Sequence, residues 1–387
     1  MKFLHTADWH IGKELGDYSL LEQQQTAFEQ TLAIAQAHQV DAVLLAGDLY
    51  DRSIPPVDAV NALEPMLKRM NIEAGLPIFA VSGNHDGPTR LGAGKEWREN
   101  NQFYLRTTLA EAFEPIIFGD TQIFMLPFID PLEARVYYGI SNETNELRTI
   151  NEVMARVITD MQANFDPTKQ HVLVSHYYVA GKQNETYDLT SETNSKAGGL
   201  KSIDVNQFNA FDYVALGHLH LKQASPSETV QYSGSPIKFN TKEAQSEKGV
   251  FIVDVNADGV SSEWVPLQPE KDLILLEADF KTLMDPAFYQ QYSRQGDNLF
   301  SIKMTDRPAV TDLRNQLNDI YGEIVEIQFK QSQAQSISHT KKMTERAEQS
   351  NQDLIREFYE TVTDATLTKH QAEIIDQTLT RLERKED

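Results

Sequence analysis

The chain has 387 residues, of which 40% are hydrophobic and 24% charged, with a net charge of −22 at pH 7 and no cysteine. It is long enough for one large core and one or two smaller units, and it has neither an apolar run of about 18 residues nor a signal peptide, so we expect a cytoplasmic protein. Without cysteine, any metal ligands come from His, Asp, Glu and Asn. The negative charge argues against a free-standing nucleic-acid binder that relies on Lys and Arg. A polyanionic substrate would need bound metal ions or a basic partner.

The first predicted strand, Lys2 to Ala7, ends at Asp8-Trp9-His10. In an extended segment, a carboxylate and an imidazole two residues apart point the same way, so both can reach one ion. An Asp that caps a turn beside a His explains the same residues, and both interpretations stay open at this point. The apolar spacing from about 20 to 39 then predicts an amphipathic helix.

The second predicted strand, Ala42 to Ala46, is almost continuously apolar, as expected of a parallel strand that is covered on both faces. Gly47 and Asp48 follow it, so a carboxylate again comes directly after a strand. Residues 57–70 are predicted to form the next helix, although Pro65 lies within them.

The third predicted strand, Ile78 to Val81, runs into Gly83-Asn84-His85-Asp86. An Asn carbonyl suits a hard cation, and a neighbouring His that points elsewhere can act as an acid. The same four residues are also typical of a plain turn. The β-α-β-α-β order predicts a parallel sheet with a ligand site at the carboxyl ends of its strands.

Histidines follow two later strands. A predicted strand at 171–175 precedes His176, and one at 211–216 precedes Gly217-His218-Leu219-His220. A single buried His is usually structural, but two imidazoles that flank one residue after a strand suit a metal site as well as a core. Between the two halves, the pattern predicts two strands within 114–128 and a helix at about 145–163.

Beyond residue 249, strands at 250–255 and 262–267 are predicted to form a hairpin around residues 256–259. Residues 254–259 also resemble the start of a calcium loop, but Val265 stands where such a loop needs Glu, so we expect the hairpin. A small α+β unit is predicted next, with strands at 273–278, 299–304 and 324–329 and helices near 286–292 and 310–321.

The C-terminal part begins with a polar linker at 331–336. Two apolar stripes at helical spacing follow it. They comprise Leu354, Ile355, Phe358, Tyr359 and Val362, and then Leu367, Ile374, Ile375, Leu379 and Leu382. A helical hairpin folded back on its own domain and a docking element for a partner's coiled coil both fit this pattern.

In that order, Asp8-x-His10, Gly47-Asp48, Gly83-Asn84-His85-Asp86, His176 and Gly217-His218-x-His220 resemble the five signature motifs of the calcineurin-like metallophosphoesterases. Within this superfamily, the chain is similar to the SbcD family of bacterial nuclease subunits. The stretches that carry this similarity are Leu4 to Gly12, Ala46 to Asp51 and Tyr232 to Pro236. The resemblance implies an α/β fold: a two-sheet α/β/β/α sandwich over 1–268, an α+β capping domain over 269–330, and a linker with a helical tail over 331–387.

The resemblance also implies a ligand set. Asp8, His10, Asp48 and His220 would hold one ion, and Asp48, Asn84, His176 and His218 the second, with Asp48 bridging. His85 matches a catalytic His that is not a ligand. Independently of the family, mixed oxygen and imidazole ligands suit Mn²⁺, with Mg²⁺ as an alternative, and two ions can clamp a scissile phosphate. In one departure, Asp51 stands where archaeal and eukaryotic relatives carry a His.

The family's function would then be that of a metal-dependent nuclease that degrades duplex DNA from 3′ to 5′ and cuts single strands internally, in DNA repair and recombination. An SbcC-like ATPase would bind the C-terminal helices, and a homodimer would form through helices near 57–70 and 88–98. Two alternatives remain: a phosphoesterase for small substrates, which would not need the capping unit and tail, and a non-catalytic scaffold, which decayed ligands would favour. No membrane association is expected.

Overall fold

The structure is a computed structural model that describes residues 1–141, 143–184, 202–293, 296–330, 355–356, 359 and 366–383. The strands are β1 (Lys2–Thr6), β2 (Glu14–Leu15), β3 (Tyr18–Ser19), β4 (Ala42–Ala46), β5 (Ile78–Val81), β6 (Phe103–Arg106), β7 (Ile116–Phe118), β8 (Thr121–Leu126), β9 (Gln170–His176), β10 (Val179–Ala180), β11 (Ile203–Asp204), β12 (Tyr213–Gly217), β13 (Val230–Tyr232), β14 (Lys248–Asn256), β15 (Gly259–Leu267), β16 (Asp272–Ala278), β17 (Asn298–Met304) and β18 (Glu323–Phe329).

The helices are α1 (Leu21–Ala37), α2 (Val57–Lys68), α3 (Pro88–Gly92), α4 (Lys95–Glu99), α5 (Pro131–Tyr137), α6 (Ile150–Gln162), α7 (Phe280–Leu283), α8 (Pro286–Tyr289), α9 (Leu313–Tyr321) and α10 (Lys369–Glu383). Among the described residues, no helix combines the length and the apolar character needed to cross a membrane.

Two sheets pack face to face and form the centre of the molecule. The first has the strand order β15-β14-β1-β4-β5-β6, in which β1, β4, β5 and β6 are parallel. The second has the order β13-β12-β9-β8-β7, in which only β7 is antiparallel to its neighbour. The alternation of side chains along β4 shows why its sequence is apolar throughout. Leu44 lies in the core between the sheets, whereas Val43 and Leu45 lie in the core under the helices.

Helices cover both outer faces. On the first sheet, α1 and α2 bury Phe28 and Leu63, and on the second sheet α6 buries Val153 and Val157. The order of layers is therefore helix, sheet, sheet, helix, which confirms the predicted α/β/β/α sandwich. The hairpin of β14 and β15 closes the first sheet, with Asn256 paired to Gly259 at its turn as predicted.

A smaller unit follows, with the parallel strand order β16-β17-β18 and α9 packed on the sheet. Leu276, Phe300 and Leu317 lie in its own core. Leu273 and Val325 pack instead into the first-sheet core under the helices, so the unit contacts the sandwich through apolar side chains.

Several sequence predictions differ from the structure. The strand β6 and the helix α5 were not predicted, and the helix expected at 145–163 begins at Ile150, because Thr149 caps it together with Glu152. The helix expected at 310–321 begins at Leu313. The linker at 331–336 and most of the first apolar stripe of the tail lie outside the described residues, whereas much of the second stripe falls in α10.

Candidate metal centre

Every metal ligand proposed from the sequence lies at the carboxyl end of a strand, and the structure brings all of them to one place. From the first sheet, Asp8 and His10 follow β1, Asp48 follows β4 and Asn84 follows β5. From the second sheet, His176 ends β9, while His218 and His220 follow β12. The parallel direction of the strands explains this, because their carboxyl ends lie along the same edge of each sheet.

The segments after β1 and β4 run side by side and are joined by backbone hydrogen bonds. The Asp8 amide donates to the Gly47 carbonyl at 3.0 Å, and the His10 amide donates to the Asp48 carbonyl at 2.9 Å. Asp8, His10 and Asp48 all adopt left-handed backbone conformations, with φ of 54°, 44° and 51°. Such conformations cost non-glycine residues about 1–3 kcal/mol each, so three of them in two adjacent segments favour a functional site over a plain turn.

Glycines allow the segments to approach closely. A Cβ on Gly83 would lie 2.2 Å from Asp48 Oδ1, and a Cβ on Gly217 would lie 1.9 Å from the Ala46 carbonyl oxygen. Real side chains do not tolerate either distance. The glycines that precede Asn84 and His218 are therefore required by the contact between neighbouring loops and between the two sheets.

The first group of converging side chains is Asp8, His10 and His220, each buried and each offering one ligand atom within 4.8 Å of the others. His10 Nε2 lies 3.2 Å from His220 Nε2 and 3.5 Å from Asp48 Oδ2. Asp8 Oδ2 is buried without a hydrogen-bond partner among the described residues. Burial raises the pKa of Asp8 to about 6 although His176 and His220 oppose the shift, which a cation between these side chains would reverse.

The second group surrounds Asn84 on the other side of Asp48. Asn84 Oδ1 lies 3.1 Å from His176 Nε2 and 2.9 Å from His218 Nδ1, and His176 Nε2 lies 3.2 Å from Asp48 Oδ2. Burial alone would raise the pKa of Asp48, but His176 and His10 hold it well below its usual range. Burial likewise acts to lower the pKa of His176, but Asp48 outweighs it and raises the value to about 9. Asp48 Oδ2 faces both groups.

The donor atoms fit divalent cations. Carboxylate, amide and imidazole donors together suit first-row divalent metals and exclude a thiolate-type site. His176 Nδ1–H donates to the Ala46 carbonyl at 2.8 Å, because a carbonyl can only accept, so Nε2 is the ring atom that would bind a metal in exchange for its proton. The buried, unpartnered oxygen of Asp8 is a further position that a cation would satisfy.

Glu243 is a functional residue that the sequence analysis missed. Its carboxylate is fully buried, and Oε1 lies 3.1 Å from His220 Nδ1, which fixes the ring so that Nε2 faces His10. Lys248 pairs with the same carboxylate and donates to the His220 carbonyl at 2.8 Å. Burial would raise the pKa of Glu243, but Lys248 and His220 lower it to about 2, so the carboxylate is charged. The sequence feature that could have pointed to Glu243 is Lys248, a charged residue at the start of the apolar strand β14, which needs a buried counter-ion.

His85 lies beside the two groups. Its backbone amide donates to Asp48 Oδ1 at 2.8 Å, and its ring stands edge-on to His10 with 4.7 Å between centroids. Nδ1 lies 2.7 Å from the Asp51 carbonyl oxygen and must donate to it, so Nε2 is the ring atom left for a substrate. Asp86 has a structural role, since it accepts the backbone amides of Leu49, Tyr50 and Gly83 and joins the loops.

A third set of side chains, His10, Asp51 and His85, also has ligand atoms within 4.8 Å of one another. Here the Asp51 carboxylate already has a cation, because Lys13 Nζ lies 2.9 Å from Oδ1. The ion pair gives this carboxylate a positive partner, and His10 Nδ1 and Asp51 Oδ1 have no hydrogen-bond partner among the described residues.

Comparisons with known proteins place the chain in a family. Residues 1–222 match the family described as calcineurin-like phosphoesterase, and residues 269–363 match the type 5 capsule protein repressor C-terminal domain, SbcD_C. A Staphylococcus epidermidis protein named as the SbcD subunit of the SbcCD nuclease is 33% identical over 97% of both chains. The chain belongs to the calcineurin-like phosphoesterases, in the SbcD family.

A second member of the SbcD family, from Staphylococcus saprophyticus, is 29% identical and covers 99% of this chain and 98% of its own. Among solved structures, a dimetal phosphatase from Danio rerio matches 68% of this chain and 95% of its own at 11% identity, with a TM-score of only 0.40. The family assignment confirms the resemblance stated from the motifs, and it makes the chain a hydrolase with a divalent metal site.

Proposed function

We propose that this chain is a metal-dependent DNA nuclease that hydrolyses phosphodiester bonds as the SbcD-type subunit of an SbcCD-type complex. The observation that carries the proposal is the convergence of the seven candidate ligands, with His85 beside them, in a chain that is 33% identical to a named nuclease subunit over almost its whole length. All seven ligand positions and His85 are intact, which supports an enzyme and not a scaffold.

We assign Asp8, His10, Asp48 and His220 to one divalent cation. We assign Asn84, His176 and His218 to a second, which also takes Asp48. Mn²⁺ is the preferred metal because imidazole and oxygen donors are mixed, and Mg²⁺ is the alternative. When bound, two such ions neutralise the scissile phosphate and lower the pKa of the attacking water.

The chain's own residues position the reaction. Asp48 keeps its negative charge, because the pKa of its carboxyl lies well below the usual range, so it can face both cations at neutral pH. His85 Nδ1 is fixed on the Asp51 carbonyl, which leaves His85 Nε2 as the ring atom for the substrate, and in the imidazolium form Nε2 would give its proton to the leaving or a non-bridging oxygen at the transition state.

The finer activity is also part of the proposal. We assign 3′ to 5′ degradation of duplex DNA and endonuclease action on single strands, in repair and recombination. The sandwich would occupy 1–268, the capping domain 269–330, and the linker and docking tail 331–387. An SbcC-like ATPase would bind the tail; Ile374 on α10, which is 50% exposed, supports this because it offers an apolar contact. Exposed Val57 and Trp97 on α2 and α4 support a homodimer through these helices.

The test compares two substrates. The purified chain, alone and with its ATPase partner, is incubated with linear duplex DNA or a small aryl phosphodiester, with Mn²⁺ or with EDTA. The proposal expects DNA cleavage with Mn²⁺ and none with EDTA. If the small diester is cleaved while DNA stays intact even with the partner present, the protein is a small-substrate phosphoesterase and the nuclease proposal fails.

A further inference from the structure

At the edge of the metal centre, two positively charged side chains, Lys13 and Arg52, pair with the carboxylate of Asp51. Lys13 Nζ lies 2.9 Å from Asp51 Oδ1, and an Arg52 guanidinium nitrogen lies 3.4 Å from Asp51 Oδ2. The Asp51 carboxylate is itself only 12% exposed, whereas the side chains of Lys13 and Arg52 are 20% and 52% exposed. The acceptor is thus nearly buried, and the two positive groups reach the solvent.

The backbone places this cluster next to the candidate ligands. The hydrogen bonds that align His10 with Asp48 continue along both segments, with the Ile11 amide donating to the Leu49 carbonyl at 2.9 Å and the Asp51 amide donating to the Ile11 carbonyl at 3.3 Å. Lys13 and Asp51 therefore lie where the two segments leave the metal centre. Asp51 Oδ1 is 4.0 Å from Nδ1 of His10, a proposed ligand, and the Asp51 carboxylate therefore lies between His10 and Lys13.

Asp51 also contacts the proposed proton donor, because its carbonyl accepts from His85 Nδ1 at 2.7 Å. Asp51 consequently sets both the orientation of the His85 ring and the positions of Lys13 and Arg52. In a protein with a net charge of −22, positive groups at this place matter for a polyanion, since a nucleic-acid strand carries phosphates on either side of the one that is cleaved.

We infer that Asp51 positions Lys13 and Arg52 to bind the backbone phosphates that flank the scissile phosphodiester. This inference rests on the proposed nuclease function and names a specificity determinant for it. A small diester has no neighbouring phosphate, so the two cations favour a nucleic-acid strand over such a substrate. Phosphate contacts of this kind are independent of base sequence.

The test measures kcat and KM of the full, metal-loaded chain on duplex DNA and on a small aryl phosphodiester. For Lys13→Met we expect kcat/KM to fall roughly tenfold more on DNA than on the diester. The loss on DNA should come mainly from a higher KM, and Lys13→Arg should restore kcat/KM on DNA. The slope of log KM against log salt should shrink by about 0.9 for each lost contact. Arg52→Met should act in the same direction, as should Asp51→Asn, which keeps the carbonyl that holds His85.

Lys169→Met is the matched control, because Lys169 pairs with Asp120 before the start of β9, at the end of the strand opposite His176. Equal losses on both substrates for Lys13→Met, or a salt slope equal to that of Lys169→Met, would overturn the inference. A wild-type chain that leaves DNA intact even with its ATPase partner present would instead refute the nuclease proposal, so the two failures are distinguishable.

Discussion

The two sheets bring different chemistry to the same centre. The first sheet supplies Asp8, Asp48 and Asn84 together with His10. The second sheet supplies only imidazoles. Negative charge therefore comes from one sheet, and most of the nitrogen donors come from the other.

The difference explains why neither half forms the centre alone. His176, from the second sheet, is the largest of the influences that hold the pKa of Asp48 low, and Asp48 in turn raises the pKa of His176. The ring of His176 is oriented by the Ala46 carbonyl of the first sheet. The relative position of the two sheets is thus a condition for charge and orientation at the site, and each prediction below disturbs one part of that arrangement.

The largest effect is expected for Asp48→Asn, which removes the charge that both groups of ligands share. We expect loss of bound metal and a fall in Mn²⁺-dependent cleavage of roughly 10³-fold or more, about 4 kcal/mol of transition-state stabilisation. Metal analysis and initial rates measure this. Asp120→Asn, at a 98% exposed side chain, should match wild type; full metal occupancy in Asp48→Asn would refute the assignment.

The contact between the sheets can be broken at Gly217. A Cβ there would lie 1.9 Å from the Ala46 carbonyl oxygen, so Gly217→Ala should lower the free energy of unfolding by more than about 3 kcal/mol and impair metal binding. Gly139→Ala is the control, since Gly139 has a φ of 66° but nothing within 4 Å of the position that a Cβ would take, and it should cost about 1 kcal/mol. Equal losses in urea unfolding would show that the close contact does not matter.

A smaller effect is expected at Glu243, which contacts the far side of the His220 ring and is not itself a proposed ligand. Glu243→Gln weakens the acceptor that orients His220 and should lower Mn²⁺ affinity by roughly 10- to 100-fold. Because Lys248 would then lack its buried counter-ion, the double variant Glu243→Gln with Lys248→Met separates stability from metal binding. Glu247→Gln, at a 77% exposed side chain, is the control, and an Mn²⁺ titration that does not distinguish it from Glu243→Gln would exclude the orienting role.

The smallest effect concerns His5, which joins the sheets by donating from Nε2 to the Leu216 carbonyl at 3.1 Å. Burial lowers the pKa of His5 from 6.5 to about 3, against the opposing effect of that hydrogen bond. The unfolded chain therefore takes up the proton first, and the free energy of unfolding falls as the pH drops below about 6.5, by up to about 1.4 kcal/mol per pH unit.

This contribution is measured by urea unfolding of the EDTA-treated chain at about pH 7.5 and about pH 5.5. Wild type should lose about 1.4 kcal/mol more than His5→Gln over that interval. The comparison with His5→Gln removes the contributions of Asp8 and Asp86, which titrate in both proteins. An identical loss in the two proteins would mean that His5 is not kept neutral by the fold.

The sandwich and the placement of the proposed ligands could be predicted because each ligand follows an apolar strand in the chain. The continuous apolar pattern of β4, β5, β9 and β12 and the polar residues after them were enough to place the site at one edge. The small α+β unit that follows the sandwich could be predicted from its three apolar strands separated by helices.

Other features left weaker signals. The strand β6 has only four residues and ends in Arg106, which is buried and paired with Glu99, so its apolar run is too short to predict a strand. The helix α5 is only seven residues long, so its apolar spacing is a weak signal. The capping box formed by Asp130 and Glu133 does indicate where it begins. Glu243 contacts His220 across 23 residues, and no local spacing predicts such a contact. The ligand roles, the identity of the metal and the domain boundaries remain predictions.

His85 gives the most direct test, because it is assigned to the reaction and not to the metals. We would measure bound Mn²⁺ and the rate of DNA cleavage for wild type and His85→Ala in parallel. Because His85 is not among the proposed ligands, we expect equal metal content, with cleavage reduced by roughly 10²- to 10⁴-fold. A His85→Ala protein that loses metal, or that cleaves DNA at the wild-type rate, would contradict the proposed division between ligands and proton donor.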